Sequence, residues 1–339
     1  MSDWKAICDD GTVNWLLEKE NPSVRYYTLK NILDKPEDDT EVKQAKHQIM
    51  QFGIVPEILK KQQDTSYIQN YPRFYTDKYR GLVWQLIVLA EMGAEANLKI
   101  KEQCEYIFNN SQETKDGGFA MNRAVKKGGG RINEVIPCLT GNMVFSLIQF
   151  GYLEDLRLQN AISWIIRFMR YNDGTEEDPQ VEPYDRYEMC WGKHTCLMGV
   201  VKALKGLSAI PQEKRTSEVN DAISKAAEFL LIHHIHKRSH NLQIISKPGW
   251  KRFSFPLMYQ TDVLEVLDIL MELGIKDKRM DEAIGVVCAK RDGMGRWKTE
   301  NTANSDRLLI PIGQKDEQSK WLTLKAMRVL KRYYKEVKQ

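Results

Sequence analysis

Cys190-Trp191-Gly192-Lys193-His194-Thr195-Cys196 places two thiols and an imidazole within seven residues. Zinc takes about four N, S or O ligands in a tetrahedron. A turn can fold two or three of these side chains to one side, and Cys138 could add a further sulfur. Cys138, Cys190, His194 and Cys196 are therefore a candidate Zn²⁺ set. With an open fourth position, such a site activates water or a substrate thiol. The spacing is not that of a zinc finger, and the same cysteines also read as small buried hydrophobes.

A second cluster is His233-His234-Ile235-His236-Lys237-Arg238-Ser239-His240, which holds four of the six histidines. His233, His234 and His240 are second-choice metal ligands or proton carriers. They also suit the C-terminal end of a helix, where the macrodipole favours cations. Asp262, in Tyr259-Gln260-Thr261-Asp262, is a candidate base or orienting group, with His194 as its catalytic companion. Lys126-Lys127-Gly128-Gly129-Gly130-Arg131 is a basic glycine loop without the phosphate-loop order. Asp173 to Glu188 is an acidic insert that could pair carboxylates for sugar chemistry. Aromatic stretches at 71–80 and 249–256 could line a cavity.

These groups need a scaffold. The chain has 339 residues, enough to bury a sizeable core without disulfides or metal. Its 42% hydrophobic and 28% charged residues exclude a disordered or collagen-like chain. A net charge of +4 is too small for this length to imply nucleic-acid binding. No run of about 18 apolar residues occurs, so no transmembrane segment is expected. Without an apolar N-terminal signal core, the six cysteines are expected to be reduced thiols in a cytoplasmic protein.

Strand signals are scarce, and helical spacing recurs almost throughout. Leu153-Glu-Asp155-Leu-Arg157-Leu-Gln-Asn-Ala161-Ile162 matches Ile275-Lys-Asp277-Lys-Arg279-Met-Asp-Glu-Ala283-Ile284 position for position. Weaker copies give anchors at 39, 98, 155, 216 and 277, which are 59, 57, 61 and 61 residues apart. That period suits two helices and a long loop. Apolar helices are expected near 82–92, 143–150, 197–207, 263–273 and 321–330, with Gly93, Gly151, Gly206 and Gly274 as C-terminal stops. Amphipathic helices are expected at 97–110, 155–170, 217–232 and 277–290, with a further pair at 22–34 and 38–51. The expected fold is all-α: five to six helix pairs in two concentric layers, closed as an α/α-toroid. One domain would span 1–339, in units 22–75, 78–135, 137–190, 193–255 and 258–315 with a closing helix at 319–335.

The outer helices lead into Gln112-Glu-Thr-Lys-Asp116-Gly117-Gly118-Phe119, Tyr171-Asn-Asp173-Gly174 and Asp292-Gly293-Met-Gly295-Arg-Trp297. These resemble the Gln…Gly-x-Trp/Phe repeat ends of the squalene-cyclase and prenyltransferase repeat family, over roughly residues 20–335. The resemblance implies an α/α-toroid whose inner-helix N-terminal ends face a central cavity. Their register in the repeat, with polar or reactive types where apolar ones would serve a core, predicts that Tyr79, Arg80, Trp84, Asn142 and Trp321, near inner-helix starts, bind substrate there. His194-Thr195-Cys196 is similar to the His-Thr-Cys at an inner-helix start in protein prenyltransferases, which hold zinc with Asp, Cys and His. Lanthipeptide cyclases, another toroid, use two Cys and one His. The Asp-x-Asp-Asp acid of the triterpene cyclases is missing from this sequence, as is an Asp-Asp-x-x-Asp magnesium site. Three readings stand: a metal-assisted enzyme on a small hydrophobic or thiol-bearing substrate, a non-catalytic binder of a small molecule or peptide, and a carbohydrate-active toroid.

Overall fold

The computed structural model describes residues 10–335 except 127, 178, 186–187, 192–193 and 302–306. Cys8, Asp9, Lys127, Asp178, Arg186, Gly192 and Lys193, together with the side chain of Glu188, lie outside the described residues.

The protein is built mainly of helices. In chain order they are α1 Asp10–Leu16, α2 Pro22–Asn31, α3 Thr40–Gln48, α4 Ile54–Lys61, α5 Thr65–Gln69, α6 Leu82–Glu91, α7 Leu98–Asn110 and α8 Pro137–Gln149. There follow α9 Leu156–Phe168, α10 Glu188–Trp191, α11 Leu197–Ser208, α12 Ser217–Ile232, α13 Val263–Glu272, α14 Asp281–Ala289 and α15 Lys320–Tyr334. A short antiparallel hairpin, Lys237–Arg238 with Asn241–Ile245, occupies the histidine-rich stretch.

The near-60 repeat marks helix starts. Asp39, Asn97, Asp155 and Thr216 cap α3, α7, α9 and α12, and Asp277 caps the 3₁₀ turn that leads into α14. Each cap's side-chain oxygen accepts a backbone N–H that the first turn leaves without a partner. Gly93, Gly151 and Gly274 end their helices with φ of 71, 87 and 73°, a region that L residues avoid.

Two expectations need correction. The helix expected from 143 starts at Pro137, because proline fits the first turn, where its missing N–H costs nothing. Gly206 is no stop: it lies inside α11. A Cβ there would come 2.7 Å from the Gly141 carbonyl oxygen, and one on Gly141 would come 2.2 Å from that of Lys202. The two glycines let α8 and α11 pack backbone to backbone.

The apolar helices pack in chain order: α6 on α8, α8 on α11, α11 on α13, α13 on α15, and α15 on α2. Lys46 Nζ donates to the Gly93 carbonyl at 2.9 Å, joining the α2–α3 pair to the end of α6. The amphipathic helices α3, α7, α9, α12 and α14 pack on α2, α6, α8, α11 and α13. Two of the repeated turn motifs share one construction. Phe119 N donates to Thr140 Oγ1 at 3.0 Å, and Trp297 N donates to Thr323 Oγ1 at the same distance. Both aromatic rings are fully buried, so these motif residues fasten a turn to the next apolar helix.

Candidate functional site

A cavity of about 570 Å³ is bounded by α2, α6, α8, α11, α13 and α15, with Tyr27, Glu91, Gln149, Lys205, Asp268 and Lys325 among its lining. Charged side chains stand in and behind its walls. Lys202 Nζ donates to both carboxylate oxygens of Glu265 at 2.7 Å. Lys205 bonds Glu91 and lies 3.4 Å from Glu265. Lys325 sits 3.1 Å from Glu91 and 3.6 Å from Asp268. Arg328 forks onto Asp268, with Nε 2.6 Å from Oδ1.

The charges thus alternate in one connected chain from Lys202 to Arg328. Burial alone would make Glu91, Glu265 and Asp268 harder to ionise. The neighbouring cations more than offset it, and all three are held below the usual carboxylate range. Lys202, the most deeply buried, is shifted down because burial outweighs Glu265 there; Lys205, between two carboxylates, is shifted up. Among the charged residues that line the cavity, Lys30, Lys205, Arg215, Lys325 and Arg328 outnumber Glu91, Glu265, Asp268 and Glu272 by one. Arg215, also on the wall, gives Nε and Nη2 to the carbonyls of Ile210 and Ser208 at 2.8 and 3.0 Å. It pairs with no carboxylate among the described residues.

The residues singled out in the sequence fall into several groups. Trp321 lines the charged cavity, its ring stacked on Phe255 at 4.4 Å. Tyr79 and Trp84 meet with ring centroids 5.2 Å apart, beside Tyr75 and Tyr259. Asn142 is buried close by: its Nδ2 donates to the Met258 carbonyl at 3.0 Å, and its Oδ1 has no partner among the described residues. Arg80 is exposed.

Asp262 caps α13. Its two oxygens accept from Glu265 N at 2.9 Å and Ser254 N at 3.1 Å. Burial still pushes its carboxyl up to about 7.

The thiols of Cys138, Cys190 and Cys196 lie near enough to influence one another. Burial and these neighbours push Cys138 far up and Cys190 up to about 12, which keeps both protonated and poorly nucleophilic. His194 turns to other partners: Asp173 at 3.8 Å and the ring of His240 at 5.9 Å. Asp173 also meets His233 Nε2 at 3.1 Å and accepts from Ser239. His234 follows the end of α12 with a positive φ of 41°. No group of three or more His, Cys, Asp or Glu side chains is arranged to hold a metal ion among the described residues. Of the candidate zinc set, Cys138, Cys190 and Cys196 lie near one another, while His194 is turned to Asp173 and His240.

Reading the sequence alone overlooked the charged chain, although its signal is visible. Lys202 and Lys205 interrupt an apolar run, as do Glu265 and Asp268. No described helix is long and apolar enough to cross a membrane. Neither the family models nor the curated proteins compared with the chain give a match.

Proposed function

We propose that this chain is an α/α-toroid, related in plan to the squalene-cyclase and prenyltransferase repeat family, whose central cavity binds a small polar anion. The observation that carries the reading is the cavity bounded by six helices and lined by five cations against four carboxylates, most of them held in ion pairs. Wall charges fixed by one another are preorganised, so a ligand needs little rearrangement to bind. Arg215 offers a planar fork suited to a carboxylate or phosphate. Small ligands generally enter such concave sites, where a few polar groups set orientation.

An uncharged isoprenoid fits this wall poorly, since it would desolvate the charges without satisfying them. Acid catalysis on a sugar also has little support. Such an acid needs a raised carboxyl; Glu91, Glu265 and Asp268 are shifted down, and the raised Asp262 has both oxygens engaged by backbone N–H groups.

The test is a ligand-observed NMR screen of small fragments grouped as anionic, neutral and cationic. Anionic hits should dominate, and Arg215→Met should weaken them while leaving the circular-dichroism spectrum unchanged. Hits drawn mainly from apolar or cationic fragments would overturn the reading.

A further inference from the structure

A different feature lies at the opposite end of α6. Trp84 and Glu91 are separated by seven residues, about 10 Å along a helix. Around Trp84 the aromatic side chains form three walls. The Nζ of Lys78 stands 4.7 Å from the ring centre of Tyr75, 4.7 Å from that of Tyr259 and 5.7 Å from that of Trp84. The rings are set at angles to one another: Tyr75 and Trp84 at 41°, Trp84 and Tyr259 at 61°. Tyr79 backs them, 5.2 Å from Trp84.

The cage is held from outside. Trp84 Nε1 donates to the Tyr75 carbonyl at 2.9 Å, Gln260 Nε2 donates to the Tyr79 hydroxyl at 2.8 Å, and Gln85 Nε2 donates to the Tyr79 carbonyl at 2.9 Å. These bonds fix Trp84 and Tyr79 independently of what occupies the centre.

The occupant is weakly retained. Lys78 makes no ion pair among the described residues, and its stem is only half-buried while Tyr75, Tyr79 and Trp84 are buried. A lysine ammonium keeps three N–H donors that want acceptors. The centre of this cage offers ring faces, and the Tyr79 hydroxyl already accepts from Gln260. A fully alkylated ammonium carries the same charge with no N–H to satisfy, and its methyl groups gain from contact with the rings.

We propose that Tyr75, Trp84 and Tyr259 form a binding site for a small quaternary ammonium compound, and that Lys78 is a built-in plug that such a ligand displaces. The ring faces attract the cation through their quadrupoles, and the half-buried lysine stem marks the way in. This site is separate from the anion-binding cavity and would survive the failure of that reading. Lys78→Ala opens it without touching a wall.

The experiment is calorimetric titration of the full chain with choline chloride. 3,3-Dimethyl-1-butanol, the neutral carbon analogue of choline, serves as the control for simple hydrophobic binding. Choline should bind Lys78→Ala at least about tenfold more tightly than wild type, a difference of about 1.4 kcal/mol. It should exceed the neutral analogue by a similar factor. Tyr259→Leu placed on Lys78→Ala should abolish the binding. A folded Lys78→Ala that binds neither compound, or binds both equally, would overturn the proposal. If Lys78→Ala does not fold, wild type decides: choline must shift the Trp84 indole N–H resonance, assigned with Trp84→Phe, where the neutral analogue does not. Absence of that shift at saturating choline would also overturn it.

Discussion

Arg157 grips Glu105 with both terminal guanidinium nitrogens, at 2.7 and 2.9 Å, while its own cap residue Asp155 accepts from Nε at 3.0 Å. Arg279 reproduces the arrangement on Glu228, again at 2.7 and 2.9 Å, with Asp277 in the place of Asp155. The strongest internal repeat in the sequence is thus a bolt. It ties the start of one amphipathic helix to the flank of the preceding one, α9 to α7 and the turn before α14 to α12.

Both bolts are partly exposed, so solvent screens them and each contributes modestly. Arg157→Ala should cost about 1 kcal/mol in chemical denaturation, the upper range for a forked surface pair. Arg157→Lys should recover less than half, because an ammonium cannot fork. In a double-mutant cycle with Glu105→Ala, strictly additive losses would show that the fork does not couple the helices.

Gly141 and Gly206 set the approach of α8 and α11. A Cβ on residue 141 would stand 2.2 Å from the Lys202 carbonyl oxygen, and backbone cannot move aside as a side chain can. Gly141→Ala is expected to cost about 3 kcal/mol or more, an overpacking penalty at the high end. Gly285→Ala is the control: it lies in α14 with nothing within 4 Å of the added carbon. That change should be neutral or stabilise by up to about 1 kcal/mol, since alanine restricts the unfolded chain. Equal urea midpoints for the two variants would contradict the close approach.

Helix positions were legible in the sequence because caps, prolines, glycines and apolar spacing are local signals. Asp155, Thr216 and Asp277 announced their helix starts without any knowledge of tertiary structure. Gly206 misled because a glycine near a helix end usually terminates it, and only the neighbouring helix reveals why this one sits inside. The site was harder to read. Tyr79 and Trp84 do meet, since Tyr79 lies just before α6 and Trp84 in its first turn. His194 and Cys196, two residues apart, face different partners, which no spacing rule specifies. Lys202 and Glu265 are 63 residues apart, and nothing local pairs them.

Asp262 should leave a pH signature. Its folded carboxyl titrates at about 7, above an unfolded aspartate at about 4. The folded state then holds this proton more tightly. The stabilisation from Asp262 is complete below the unfolded value, declines as pH rises from about 4 to about 7, and is gone above it. Asp262→Asn removes the titration and retains a capping oxygen. Wild type should therefore lead the variant by more at pH 5 than at pH 8 in thermal melts. An equal difference at both values would mean that the carboxyl is not raised.

Lys202 and Glu265 test how the charged wall is maintained. Lys202 is fully buried, and its ammonium meets both oxygens of Glu265 at 2.7 Å. Lys202→Met removes one side of a buried pair and leaves Glu265 with Lys205 at 3.4 Å. The expected loss is about 3 kcal/mol, mostly the cost of an under-compensated buried carboxylate. Lys202→Met combined with Glu265→Leu removes both charges, and Lys205 keeps Glu91. Most of the loss should return in the double variant. Its stability should also fall less steeply with acid, because a carboxylate held below the usual range stabilises above that range and loses the effect as pH falls through its folded value. If the double variant is as unstable as the sum of the two single changes, the pair is not acting as a pair, and the connected chain of charges through the wall is broken at its first link.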